Sequence, residues 1–350
     1  MIRREQAMPI GPSALNGKHP QLVEAFQALA EEGLGVIDVG SRGGVQGMLM
    51  DVAPLLHVVG FEPDREEWQR LVAAPAGGSF KSLTHLPYAL GESDGERVLY
   101  VNRERGTSSF YQPNREFLAR FPHAARYETV TTTPVPVRSL DSLLADPESR
   151  LPKHLDFIKL DTQGSELGIL RGARRTLEHH IVALEVEVEF TRLYRDQPLF
   201  HEIDAWLEAR GFTLFKLRRQ TWVRRTAAHH PHLSAGQLVF ADALYLRDPL
   251  GSAPPPKISC APRQVEALIL LAGLYDLNDF ALELLSVPSL VTGLRIERIH
   301  RWIAARSRKL ASVRERMRRF KALTANGEVF GRYGDRWVRG DDDFYSSLGR

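Results

Sequence analysis

Val36-Ile37-Asp38-Val39-Gly40-Ser41-Arg42-Gly43-Gly44 and, further on, Val58-Val59-Gly60-Phe61-Glu62-Pro63-Asp64 are the stretches that decide the fold. In each, a short apolar run carries a carboxylate at its end. Such runs, bounded by turn residues and separated by a helix, read as the first strand–turn–helix–strand of a doubly wound parallel sheet. Ligands of these sheets lie outside the carboxyl ends of the strands, the rim at which Asp38 and Glu62 both fall. Gly40, Gly43 and Gly44 leave the first turn without side chains, so a ligand can lie against its backbone.

The acids narrow the ligand. A dinucleotide turn reads Gly-x-Gly-x-x-Gly and has no acid where Asp38 stands. A cation such as S-adenosylmethionine, with its ammonium and sulfonium, favours a carboxylate there. Glu62, about 20 residues beyond Gly40, matches the acid that receives ribose hydroxyls.

Composition is that of a soluble globular protein: 350 residues, 43% hydrophobic, 25% charged and a net charge of +3. The charge is too small to imply a nucleic-acid partner. One cysteine, Cys260, excludes an internal disulfide and a multi-cysteine metal site, and fits a reducing compartment. No signal peptide and no membrane-spanning helix are expected, so the chain is read as cytoplasmic.

Outward from the opening motif, the pattern divides into a helical lead-in (1–32), an α/β domain (33–248), a Pro-rich linker (249–260) and a C-terminal helical extension (261–350). Residues 20–33 have helical spacing and are expected to pack on the sheet. Helices are also expected over 65–74, 139–144, 165–179 and 200–210. Strands are expected over 85–90, 97–101, 129–137, 155–161, 181–188, 212–217 and 238–246, with 129–137 pushed to an edge by Pro134 and Pro136. The polar stretch 102–128, with Gly106-Thr107-Ser108-Ser109, reads as a substrate loop. Beyond the linker only helices are expected. Over 294–322, Ile296, Ile299, Ile303, Leu310, Val313, Met317 and Phe320 keep heptad spacing, with Arg306 filling the one gap.

A second constellation is Phe157-Ile158-Lys159-Leu160-Asp161-Thr162-Gln163-Gly164-Ser165-Glu166. A strand delivers Asp161 to the rim shared by Asp38 and Glu62, and Gly164 permits a tight turn into the next helix. Asp161 or Ser165 can equally cap that helix, and Glu166 can complement its dipole.

With Ile37-Asp38-Val39-Gly40, Gly60-Phe61-Glu62-Pro63, Ala89-Leu90-Gly91, Thr107-Ser108-Ser109, Val186-Glu187-Val188 and this second stretch, residues 33–248 resemble the FkbM-type S-adenosylmethionine-dependent methyltransferases. The resemblance implies a Rossmann-like class I methyltransferase sheet, here with an added C-terminal helical region. It implies a cofactor site made by Asp38, Gly40 and Glu62, with Ser41, Gly43 and Pro63 beside them, Tyr88 and Ala89 near the adenine, and Asp161 at the methyl-transfer point. The family wording Asp-Val-Glu-Gly-x-Glu is Asp161-Thr162-Gln163-Gly164-Ser165-Glu166 in this chain, and Gln163 can neither act as a base nor carry charge.

O-methylation of a sugar, glycan or related small metabolite is the expected activity, with Asp161, or else Glu166 or Glu187, taking the hydroxyl proton. The rivals are an NAD-dependent oxidoreductase and a non-catalytic cofactor-binding or assembly module. His229, His230 and His232 lack the carboxylate or cysteine spacing of a metal site, and no metal is expected. The basic helix 295–321 is opposed only by Glu297 and Glu315. It reads first as a solvated face, then as a surface for anionic membrane or substrate, and least as a nucleic-acid site. Its apolar seam implies a homodimer.

Overall fold

The structure, a computed structural model, describes residues 20–45, 47–74, 80–227, 234–251, 261–308 and 338–340. The chain divides into two compact units. The larger carries strands β1 (Leu34–Val39), β2 (Leu56–Phe61), β3 (Ser82–Leu86), β4 (Ala89–Leu90), β5 (Gly95–Asn102), β6 (Thr129–Arg138), β7 (Phe157–Leu160), β8 (Ala183–Glu189), β9 (Phe212–Trp222), β10 (Gln237–Arg247) and β11 (Val338–Gly340). Among the described residues eight strands form one sheet in the order β3-β2-β1-β7-β8-β10-β9-β11. From β3 to β8 neighbours are parallel, and β10, β9 and β11 add antiparallel pairs at the far side. This is the doubly wound, mostly parallel sheet expected from the opening motif.

The chain leaves β1 toward β2 and β3, then returns to lay β7 on the other side of β1. Strand order therefore reverses between β1 and β7, which opens a crevice at their carboxyl ends. Interior parallel strands are covered on both faces, and every residue of β1 is buried. Ile37, Val39, Ile158, Leu160, Leu184 and Val186 make one apolar face, packed with Leu143, Leu170, Leu177 and Leu207 of the crossover helices.

Several elements differ from the sequence reading. The strand expected over 85–90 is split: β3 ends at Leu86, and β4 joins a separate three-stranded sheet, β4-β6-β5. β6 lies in the middle of that sheet rather than at an edge. Its prolines are tolerated because β4 pairs only with Val137 and Arg138, which leaves Pro134 and Pro136 with one partner strand. The helix expected over 165–179 breaks at Ala173 (φ −112°, ψ 16°) into Glu166–Gly172 and Arg174–His179. Asp141 stabilises the break by accepting the Arg175 and Thr176 N–H groups at 2.8 and 2.9 Å. Three residues, Val338–Gly340, pair with β9 in a tail that the sequence left unassigned.

The smaller unit joins residues 20–33 to 261–308. The N-terminal helix is interrupted at Phe26, giving Pro20–Ala25 and Gln27–Glu32. The cause is Glu266 on the buried helix Pro262–Leu274. Its carboxylate accepts the Leu29 N–H at 3.1 Å, and the Gln27 and Ala28 N–H groups also bond to it, so it caps the second segment. Burial nevertheless raises the Glu266 pKa to about 7. Phe26 packs edge-on to Trp302 at 5.0 Å. Residues 296–308 are helical. Arg306, the heptad gap, turns inward and donates to the Gly273 and Leu274 carbonyls at 2.8 and 3.0 Å, closing the C-terminus of Pro262–Leu274. Ile299 and Ile303 are buried within the chain. They are thereby removed from the seam expected to pair two copies, and the remainder of that seam, 310–322, lies outside the described residues. So do His229, His230, His232, Cys260 and most of the linker.

Arg247 anchors the antiparallel side of the larger unit. It is 2% exposed, lies 4.2 Å over the Phe212 ring, and donates to the carbonyls of Leu177, Ile181 and Arg210 at 2.6, 2.9 and 3.0 Å. Burial lowers its pKa to about 10. Arg247→Met keeps the stem over Phe212 but leaves those carbonyls without donors. It is expected to destabilise the protein by about 2–3 kcal/mol, read as a lowered midpoint in urea unfolding.

Candidate active site

The crevice starts with one cross-strand row. Register aligns Asp38 on β1 with Lys159 on β7, and Lys159 with Glu185 on β8. Alternation along each strand puts these side chains on the face opposite Ile37 and Ile158. Lys159 Nζ lies 3.8 Å from Asp38 Oδ1 and 3.4 Å from Asp161 Oδ2. Burial disfavours its charge, but Asp161 and Asp38 outweigh burial and hold the ammonium above its ordinary pKa. For Asp38 the balance goes the other way: burial raises its pKa to about 6 despite Lys159, and its Oδ1 accepts no hydrogen bond.

Two turns meet beyond this row. Asp161 N–H donates to the Val39 carbonyl at 3.1 Å, and Gly40 N–H to the Phe61 carbonyl at 3.1 Å. Gly40 sits at φ +78°, and a Cβ there would come within 2.0 Å of the Asp161 carbonyl oxygen. The first turn can pass the second only without a side chain. Gln163 then takes φ +60° and Gly164 φ +108°. Glu166 holds this reversal, accepting the Thr162 N–H (2.7 Å), the Thr162 hydroxyl (2.8 Å) and the Gly164 N–H (2.9 Å).

At the β2 end, Glu62 accepts the Asp64 N–H at 2.9 Å, and Asp64 caps the helix Arg65–Ala73. Arg42 reaches Asp64 at 2.7 Å, Glu67 at 3.7 Å and Glu62 at 4.0 Å. Burial still dominates at Glu62 and raises its pKa to about 7. Glu67, bonded by Arg70 and the Gly43 N–H, is held down to about 2.

These ends enclose a cavity of about 240 Å3, just below the roughly 300–1,000 Å3 of small-molecule sites. Gly40, Glu62, Pro63, Ala89 and Asp161 line it, as do Arg42, Arg105 and Phe110. The wall opposite the strand ends is the segment that the sequence reads as a substrate loop. Asn102 fixes it through the Thr107 carbonyl (2.6 Å) and Ser108 (3.1 Å), and Ser109 ties it to the Gln163 carbonyl (2.7 Å). Asp38, Ser41, Gly43, Tyr88, Glu166 and Glu187 lie outside the lining. Tyr88 packs beneath it on Phe61 at 5.6 Å, and Ser41 is buried near His85. Glu187 stands behind Asp161, accepting from Gln163 Nε2 at 2.6 Å. The sequence pattern gives no role to Lys159, Arg42 or Arg105; the one available signal is a lysine inside an apolar strand.

The lining suits S-adenosylmethionine. A glycine turn admits close approach, the Glu62 carboxyl stands at the β2 end, and Phe61, Ala89, Leu90 and Leu99 offer an apolar wall. The Asp161 side chain is 42% exposed at the other end. Burial opposes its ionisation, but Lys159 and bonds from Glu187 and Gln163 hold it below the ordinary carboxylate range. Fold and site together define a Rossmann-like, S-adenosylmethionine-dependent methyltransferase. The family model "Methyltransferase FkbM domain" matches residues 38–214, just over half of the chain, and the chain belongs to that family. A comparison with curated proteins finds no match. Among solved structures, the chain is similar to magnesium protoporphyrin IX methyltransferase from Synechocystis PCC 6803 with bound S-adenosylmethionine. That match has 13% identity, 68% of this chain, 79% of that one and a TM-score of 0.32. It is also similar to an rRNA methylase from Streptococcus thermophilus, with 12% identity, 69% of this chain, 100% of that one and a TM-score of 0.28. Likenesses at this level say nothing about substrate.

The raised carboxyls give a signed prediction. A group whose pKa is raised on folding contributes stability that is full below its ordinary value and is lost as pH rises through the folded one. For ligand-free protein the windows run upward to about 6 for Asp38 and about 7 for Glu62. Glu62→Gln should therefore raise stability by roughly 2–3 kcal/mol above about pH 7.5 and change little near about pH 4, read by urea unfolding at the two pH values.

Proposed function

We propose that the chain transfers the methyl group of S-adenosylmethionine to a hydroxyl oxygen of a sugar, glycan or related small metabolite. The observation that carries this reading is the Asp161 carboxylate, held ionised by Lys159 yet exposed to the cavity, next to a glycine turn and facing Glu62 across the strand ends. The cofactor supplies, when bound, a methyl group on a positively charged sulfur. Glu62, with Pro63 behind it, would receive the ribose hydroxyls. Ala89 would flank the adenine and Tyr88 would back it through Phe61. Gly40 would admit the chain of the cofactor, with Ser41 and Gly43 shaping its turn, and the negative potential of Asp38 and Asp161 would favour its cationic end. An Asp161 oxygen would take the proton that the acceptor hydroxyl gives up as its oxygen receives the methyl group. Glu166 is already used by the turn, and Glu187 reaches the cavity only through Asp161 and Gln163, so both support the base rather than replace it.

An oxidoreductase reading lacks support in the turn, which has an acid and no Gly-x-Gly-x-x-Gly. Among the described residues no helix is long and apolar enough to cross a membrane. The single cysteine supports a cytoplasmic setting. The heptad seam over 310–322 and the arginines around it support a homodimer, with the same basic face available to an anionic surface.

Calorimetry with S-adenosylhomocysteine tests the cofactor reading: wild type gives binding heat, and Glu62→Ala weakens the affinity about 10- to 100-fold. Absence of heat from folded wild-type protein overturns it. Asp161→Asn is expected to retain S-adenosylhomocysteine affinity while lowering turnover about 100- to 10,000-fold. Turnover is measured with a panel of hydroxylated sugars by release of S-adenosylhomocysteine, and undiminished turnover removes Asp161 from the role.

A further inference from the structure

Gln163 stands where the family wording has an acid, and its surroundings are unusually constrained. Its backbone is left-handed without being glycine (φ +60°). Its carbonyl accepts the Ser109 hydroxyl at 2.7 Å. Its side-chain nitrogen donates to Asp161 Oδ1 at 3.2 Å and to Glu187 Oε2 at 2.6 Å, and its side-chain oxygen meets the Tyr194 hydroxyl at 3.1 Å. Tyr194 is buried, and its single hydrogen is shared with the Thr107 carbonyl at 2.7 Å. The amide is thus held at both ends, with each N–H given to a different carboxyl group.

Two carboxyls bonded to one nitrogen lie within about 6 Å of each other, where like charges repel and one of the two is pushed toward holding a proton. The surroundings decide where a shared proton resides. Asp161 has the Lys159 ammonium at 3.4 Å and an opening to the cavity. Glu187 is 8% exposed and, among the described residues, no lysine or arginine lies within ion-pair reach of it. Asp242, opposite Glu187 on β10, is bonded by Arg218 at 2.5 and 2.8 Å, so that cation is engaged. The other groups around Glu187 are Glu185 and Glu189 on its own strand, Glu166 on the helix after the turn, the phenols of Tyr127 and Tyr194, and the Lys159 ammonium, which acts on Glu187 less than on its closer partners Asp161 and Asp38.

We propose that Gln163 is a positioning residue, an amide clamp that holds Asp161 and Glu187 as a pair sharing one proton, with the neutral carboxyl at Glu187 and the ionised carboxylate at Asp161 facing the cavity. The raised pKa of Glu187, caused by burial and then by Asp161, agrees with this geometry. An amide suits the task because it donates to both members and cannot titrate. A glutamate at the same place would add a third acid that must itself find a proton. As the site is read above, the clamp keeps the proton acceptor charged at the moment it is needed. That link to catalysis rests on the methyl-transfer reading, whereas the clamp itself does not.

The test therefore has one arm that needs no cofactor. Stability in urea is followed between about pH 5 and 8, and its slope counts the protons bound on folding. Glu187 protonated in the folded state makes stability fall as pH rises. Glu187→Gln should flatten the slope by about one proton, and Gln163→Glu should steepen it by about one proton. Slopes equal to wild type in both variants overturn the clamp. The second arm compares S-adenosylmethionine with S-adenosylhomocysteine, which differ by the methyl group and its positive charge, in calorimetry of Gln163→Met. Wild type should keep its preference for the charged form across the range. The variant, without donors, should lose it about ten-fold toward pH 6 as the proton moves onto Asp161. A variant that tracks wild type overturns the positioning role. If Gln163→Met does not fold, the two slopes decide. If wild type binds neither compound while the slopes move as expected, the cofactor reading falls and the clamp stands.

Discussion

A buried ammonium between two strands is the constraint on which the site depends. Lys159 lies in the central row of the sheet, where its neighbours on both sides are acids, Asp38 on β1 and Glu185 on β8. An unpaired charge in that position would be very costly, and so would unpaired carboxylates. Each makes the other tolerable, and together they fix the relative height of β1 and β7 at the crevice. The arrangement is not neutral, because the acids outnumber the lysine. Asp161 carries part of the surplus negative charge to the cavity.

Around that pair, main-chain geometry does most of the shaping. The approach of Gly40 to the Asp161 carbonyl brings two turns together at the strand ends. The Asn102 amide then fixes the covering segment internally and the Ser109 hydroxyl ties it to the second of those turns, so a stretch without long regular elements becomes a fixed wall. The small sheet β4-β6-β5 serves the same wall from the other side, supplying Ala89, Leu90 and Leu99.

Much of this was legible in the residue order. The apolar runs ending in Asp38, Glu62 and Asp161 gave the strands and the rim, because parallel interior strands have a simple apolar signature. What escaped has a common cause: it depends on partners distant in sequence. Nothing local says that Ala89–Leu90 leaves one sheet for another, that Asp141 starts a helix at Arg174, or that Glu266 interrupts a helix at Phe26. Lys159 was visible as a charge inside an apolar strand, yet its meaning required the register with Asp38. Glu166 is a different case. Its place in a motif suggested chemistry, while its hydrogen bonds give it the work of a turn.

The bond from Leu29 to Glu266 spans 237 residues. The smaller unit is therefore assembled from stretches that leave the ribosome at widely separated times, with most of the α/β body made between them. Closing so long a flexible loop carries an entropic cost that prior compaction of the intervening chain reduces. Until the helical unit completes its core, the Glu266 carboxyl and the apolar face of Pro262–Leu274 remain without the partners that the finished protein gives them.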